Sequence, residues 1–88
     1  MTLREQKQPP EYSRQAKKYV INLDKDTRHR VKIGIEKIPA GDIRPYEGHS
    51  GYFRLRVGNY RILFRWINDG QILISYIGTR GDVYKKGV

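Results

Sequence analysis

The chain has 88 residues, 38% of them hydrophobic and 31% charged, with no cysteine and a net charge of +9 from 18 Lys and Arg against 9 Asp and Glu. That length suits one domain around one core, and the composition is polar but globular. Disulfide scaffolds and thiolate chemistry are excluded, as is a transmembrane helix, because no apolar run exceeds four residues.

The excess of cations favours a polyanion or an acidic partner over a neutral one. The first residues carry no apolar stretch of the secretory kind, so the expected setting is the cytoplasm, away from membranes. Residues 1–11 read as a polar, loose arm, with a short strand around Gln8–Tyr12 that Pro9 and Pro10 confine to an edge. Residues 12–88 read as the single folded domain.

Ser13 is placed to cap a helix running to about Leu23, in which Ala16, Tyr19, Val20 and Leu23 form one apolar stripe. Asp26 is the expected cap of a second helix through Ile38, with Val31, Ile35 and Ile38 on one face and Pro39 ending it. Ala40-Gly41-Asp42 then reads as a loop. From residue 44 onward the period changes to two. Strands are expected at 52–57, 60–67 and 71–78, separated by Gly58-Asn59 and by Asn68-Asp69-Gly70. The expected architecture is α+β: a weak strand, a helical hairpin, then a three-stranded antiparallel meander with both helices on one sheet face.

The turn fixes a register. With Gly58-Asn59 as a two-residue loop, Val57 opposes Tyr60, Arg56 opposes Arg61, Leu55 opposes Ile62 and Tyr52 opposes Arg65. One face then carries Phe53, Leu55, Val57, Tyr60, Ile62 and Phe64. The other carries Tyr52, Arg54, Arg56, Arg61 and Arg65. Like charges directly opposite each other destabilise a sheet, so stability alone does not select Arg56 across from Arg61. A solvated outer face needs polar residues of any kind. Four arginines with no lysine or acid among them favour an anion, which arginine's planar fork grips by two oxygens.

Three blocks in order, residues 12–18 (YSRQAKK), 51–64 (GYFRLRVGNYRILF) and 77–84 (IGTRGDVY), resemble the RelE/ParE superfamily of bacterial toxins over about residues 12–86. The resemblance implies the order β-α-α-β-β-β and a toxin of a type II toxin–antitoxin module. In the RelE branch such a toxin cuts mRNA in the ribosomal A site; in the ParE branch it inhibits DNA gyrase. Arg54 and Arg56 match basic positions on the hairpin's first strand, Arg61 matches the arginine after the turn, and Arg80 and Tyr84 match the C-terminal pair. All five being filled favours the RelE branch, with a non-catalytic RNA-binding module as a further alternative. Two departures stand out. The first-strand positions can be lysine in the family, and arginine, unlike lysine, does not give up a proton. The family also opens with a cleaner strand than Gln-Pro-Pro-Glu-Tyr.

His29 and His49 are the only histidines and the acidic residues are scattered, so no metal-ligand set is expected, nor any cofactor, and two-metal nuclease chemistry is disfavoured. RNA offers a metal-free route in which the 2′-OH attacks the adjacent phosphate. Arg54, Arg56, Arg61 and Arg80 would stabilise the extra negative charge. Tyr84 is the first candidate for proton transfer, since neighbouring cations lower a phenol's pKa. Its alternative is a C-terminal anchor, and that of Arg80 is a strand-end cap or a pair with Asp82. His49, in the loop before Gly51, is a weaker acid–base candidate or an exposed loop residue; Glu47 weighs less still, and His29 reads as surface. Lys17, Lys18, Lys25, Arg28, Arg30 and Lys32 on the helices, with Arg65, Lys85 and Lys86, are candidate phosphate contacts or simply solvated cations. The expected partners are an acidic, partly disordered antitoxin, the ribosome and mRNA.

Overall fold

The computed structural model describes residues 5–79, which form β1 (Glu11–Tyr12), α1 (Arg14–Ile21), α2 (Lys25–Glu36), β2 (Asp42–Pro45), β3 (Tyr52–Val57), β4 (Tyr60–Asn68) and β5 (Gln71–Thr79). The α+β class is the expected one. Two helices lie on a five-stranded sheet of order β1-β5-β4-β3-β2. Among the described residues no helix is long and apolar enough to cross a membrane.

Each helix starts where a side chain satisfies its free amides. The Ser13 hydroxyl accepts the Ala16 N–H at 3.1 Å and donates to the Ser75 carbonyl at 2.9 Å, so one side chain both caps α1 and ties it to β5. In α2 the cap is Asp24, not Asp26: its carboxylate accepts the Thr27 N–H at 3.1 Å. Asp26 sits in the first turn, where its charge still complements the helix dipole. The bonds with Thr27, led by the side-chain one, hold the Asp24 carboxyl below its ordinary pKa. Both helices stop about two residues short of expectation, at Ile21 and Glu36, although Ile38 remains in the core.

The core is one cluster. Ala16 and Val20 of α1, with Val31 and Ile35 of α2, meet Leu55, Ile62, Phe64, Ile72, Ile74 and Ile77 of the sheet. The Phe53 and Phe64 rings stack across β3 and β4 at 5.6 Å. Gly34 lets α2 approach closely, because a Cβ there would sit 2.7 Å from Val57 Cγ2.

The sheet departs from expectation in two ways. β2 is an additional strand, antiparallel to β3. Ile43 is its only inward apolar residue, beside exposed Asp42, Arg44 and Pro45, so alternation had almost nothing to register on. β1 is only two residues long and runs parallel to β5, which makes the sheet mixed. Beyond so short a strand the edge of β5 would lie open. The Gln15 amide closes it, donating to the Ile77 carbonyl at 2.8 Å and accepting the Ile77 N–H at 3.1 Å.

Of the residues before β1, Gln6, Lys7 and Gln8 are tied to the domain by hydrogen bonds. Gln6 donates from its side-chain amide to the Ile35 and Ile38 carbonyls at 2.7 and 3.1 Å, satisfying acceptors at the end of α2. The Lys7 and Gln8 amides both reach the Gly70 carbonyl, at 2.7 and 3.0 Å. Prolines that cannot donate to a ladder leave this stretch to be held by side chains and by the β4–β5 turn.

Candidate nucleic-acid interface

The β3–β4 pairing has the register that the turn implies. Val57 opposes Tyr60, Arg56 opposes Arg61, Arg54 opposes Leu63 and Tyr52 opposes Arg65. Gly58 has φ +56° and no described non-glycine residue has positive φ. A positive φ at the first loop position alone is the type II′ pattern, whose twist matches that of the strands. The helices occupy the other face of the sheet, so Tyr52, Arg54, Arg56, Arg61 and Arg65 share the face away from the helices.

Two neighbours enlarge this face. β2 places Arg44 opposite Arg54 and Asp42 opposite Arg56. There are thus two directly opposed arginine pairs, Arg44–Arg54 and Arg56–Arg61. Arg44 was not identified from the sequence, because its strand was not. Leu63 is the second omission; it sits among the arginines, opposite Arg54 and Tyr76. On β5, Gly78 lies opposite Arg61 and adds no side chain beside it.

The arginines differ in burial. Arg61 is only 2% exposed, whereas the Arg56 side chain is 46% exposed. Arg54 is half-buried, and its Nε has no hydrogen-bond partner among the described residues. Arg56 meets Asp42 at 3.7 Å, a half-exposed pair of the kind that contributes little in water. Among the described residues, the face brings five arginines together with the Asp42 carboxylate. At the hairpin tip, Arg56, Gly58, Asn59 and Arg61 line a cleft of about 110 Å³. It offers guanidinium donors and an amide to an anion.

The far end of the face is aromatic. The Tyr46 and His49 rings stack at 4.7 Å with planes 19° apart, and Tyr52 meets His49 edge-on at 6.4 Å. The Arg65 guanidinium lies 5.9 Å from the centre of the Tyr52 ring. Tyr52 and Arg56 are four residues apart on one strand, about 13 Å at the usual rise. His49 therefore belongs with Tyr52 and Arg65, away from Arg56 and Arg61.

The expected phosphate contacts divide between two surfaces. Lys17, Lys18, Lys25, Arg30 and Lys32 are exposed on the helices, and so is His29. They lie across the molecule from the arginine face. Arg28 has a different task from the one expected. Its guanidinium donates to the Val20, Ile21 and Leu23 carbonyls at 3.2, 3.3 and 2.9 Å, closing the C-terminal end of α1. Arg80, Tyr84, Lys85 and Lys86 lie outside the described residues. The described chain ends at Thr79, opposite Tyr60, at the Arg56–Arg61 end of the face. Among the described residues no three His, Cys, Asp or Glu side chains gather as metal ligands.

Comparison with known proteins adds to this geometry. The family described as ParE toxin of type II toxin-antitoxin system, parDE, matches residues 11–84. The RelB-RelE antitoxin-toxin complex from Methanococcus jannaschii contains a chain similar to this one, with TM-score 0.71 and 25% identity, covering 86% of this chain and 96% of that one. The archaeal RelE-RelB complex from Pyrococcus horikoshii OT3 gives TM-score 0.62 and 25% identity, covering 82% and 93%. No curated protein matches the chain.

Proposed function

The chain belongs to the ParE toxin family of type II toxin–antitoxin systems, within the RelE/ParE superfamily, and on that premise we propose that it is a ribosome-dependent endoribonuclease that halts translation. The observation that carries this reading is the arginine face. Arg44 directly opposes Arg54, and Arg56, Arg61 and Arg65 lie on the same side of the sheet, a gathering of like charge that stability alone does not select and that a bound anion relieves.

In the proposed reaction the RNA 2′-oxygen attacks the adjacent phosphorus while its proton passes to a base. The bond to the 5′-oxygen breaks as that oxygen takes a proton. Between the two, the phosphoryl oxygens carry an added negative charge, and fixed cations aimed at developing charge commonly give the largest single rate effect. Arg54, Arg56 and Arg61 serve that role on the described face, with Arg80 added by resemblance. Tyr84 is proposed for the proton transfers, also by resemblance. Placed beside the aromatic end, His49 is less suited to them than to holding RNA. A site lacking strong acid–base groups relies on the ribosome to align the 2′-oxygen, phosphorus and leaving oxygen. The partner that silences the toxin is proposed to be an acidic antitoxin, by analogy with the RelB chains in both relatives and by charge.

The test is a reconstituted translation reaction with mRNA ends mapped by primer extension. Ribosome-dependent, codon-spaced cuts that fade with Arg56→Ala, Arg80→Ala and Tyr84→Phe are expected. Cuts without ribosomes would remove the ribosome from the mechanism. Absence of cuts in every lane refutes the nuclease reading. The match to a family described as ParE toxin favours one second reading, the inhibition of DNA gyrase that the resemblance implies for the ParE branch. A supercoiling assay distinguishes it, because gyrase inhibition does not require Arg80 or Tyr84.

A further inference from the structure

We propose that Tyr46, His49 and Tyr52 form a stacking site for one RNA base at the end of the arginine face remote from the hairpin turn; this rests on RNA being the ligand of that face. The segment is folded on itself. The Tyr46 N–H donates to the Tyr52 carbonyl at 2.8 Å, His49 N–H to the Tyr46 carbonyl at 3.1 Å, and Tyr52 N–H to the His49 carbonyl at 3.1 Å. These bonds hold the rings at 4.7 and 6.4 Å from one another.

The rings do not serve the core. Tyr12, Tyr19 and Tyr60 pack against the buried cluster, but Tyr46 and Tyr52 are not among the residues that do. His49 is exposed, with its ring stacked on Tyr46 and set nearly perpendicular to that of Tyr52. Three rings clustered outside the core, ending in a guanidinium over Tyr52, present π surface and positive charge together. That combination suits a flat base joined to a phosphate. From Tyr52 the same strand continues outward-facing with Arg54 and Arg56, so the backbone of a bound strand has cations to follow. Stacking of this kind is tolerant of base identity, because every base has a π face.

The test uses the full chain and a short 2′-O-methyl RNA, which cannot be cut, carrying 2-aminopurine at one position. A strand of equal length with abasic sites is the comparison. The RNA is expected to bind about ten-fold more tightly than the abasic strand, with quenching of 2-aminopurine, as base–aromatic stacks usually give. His49→Ala and Tyr52→Leu should bring RNA affinity close to that of the abasic strand and leave the abasic strand within about two-fold. His49→Trp should keep the preference. Arg56→Gln should weaken both strands and lower the salt slope by about 0.7. Circular dichroism and melting confirm that each variant is folded. Equal affinity of wild type for the two strands, or no loss in His49→Ala and Tyr52→Leu, overturns the stacking site and leaves the arginine face standing. Binding of neither strand by wild type overturns the RNA reading of the whole face, and the stacking site with it.

Discussion

Arg54 offers the sharpest test of whether the outer face is built for a ligand rather than for stability. It lies opposite Arg44 on one side and Leu63 on the other, and its Nε is buried without a partner among the described residues. Like charges directly opposite each other across two strands destabilise a sheet by up to about 1 kcal/mol. Methionine keeps the apolar stem of arginine and removes both the charge and the orphan donor. Arg54→Met is therefore expected to stabilise the free protein by about 1 kcal/mol, raising Tm by about 4–8 °C for a domain of this size. Scanning calorimetry at low salt reads the gain. Raising the salt to about 1 M shortens the screening length to about 3 Å, so most of the gain should vanish. Arg54→Lys keeps the charge and should give none of it. RNA binding should fall in the Met variant as stability rises, the trade-off expected of a functional site. A less stable Arg54→Met, or a gain indifferent to salt, would refute the reasoning and make Arg54 a structural residue.

Gln15→Ala removes both bonds to the Ile77 backbone, a fully buried residue, and should lower unfolding free energy in urea by about 2 kcal/mol. A loss below about 0.5 kcal/mol would mean that the β5 edge finds other partners. Gly34→Ala gains about 1 kcal/mol of helix propensity but drives a Cβ into Val57, so it should be neutral or destabilising. In a Val57→Ala background the same change should become stabilising, and a double-mutant cycle reads the reversal. The Asp24 carboxyl has a depressed pKa in the fold, so its contribution is present at neutral pH and is lost as pH falls through the depressed value. Asp24→Asn keeps a capping oxygen and should flatten the acid limb of a stability–pH curve below about pH 4.

Much of this architecture was legible, and the reasons are local. Gly58-Asn59 admits one tight hairpin, and a two-residue loop leaves no freedom in register, so each partner from Tyr52–Arg65 to Val57–Tyr60 follows from the turn. The helix stripes Ala16–Val20 and Val31–Ile35 were readable because their spacing suits one period. What could not be read depends on contacts between distant segments. β2 has one inward apolar side chain, so Arg44 carried no sign of its position. Arg28 was one cation among many until α2 folded back and set it against the carbonyls ending α1. Tyr46 gave no signal of its own. Only the hydrogen-bonded loop brings its ring onto His49. Asp24 and Asp26 are both sound caps by residue type, and the choice fell to the one whose carboxylate reaches the Thr27 amide.

The same turn that makes the fold readable also secures the face. In a strand a slip of one residue exchanges the two sides. Here a slip in β3 would carry Leu55 outward and bring Arg54 and Arg56 toward Val31 and Ile35. Burying unpaired guanidinium groups in an apolar core costs far more than any cross-strand repulsion on the surface. The arginines thus act as a penalty against the wrong register while weakening the right one by a modest amount. The inward row of Leu55, Ile62 and Phe64 holds the pairing, and Gly34 lets α2 close over it. Repulsion across the outer face is therefore absorbed by the core behind it rather than relieved by splaying the strands. A rigid hairpin with its cations already opposed needs little rearrangement to meet a phosphate. Such preorganisation is what electrostatic stabilisation of a developing charge requires.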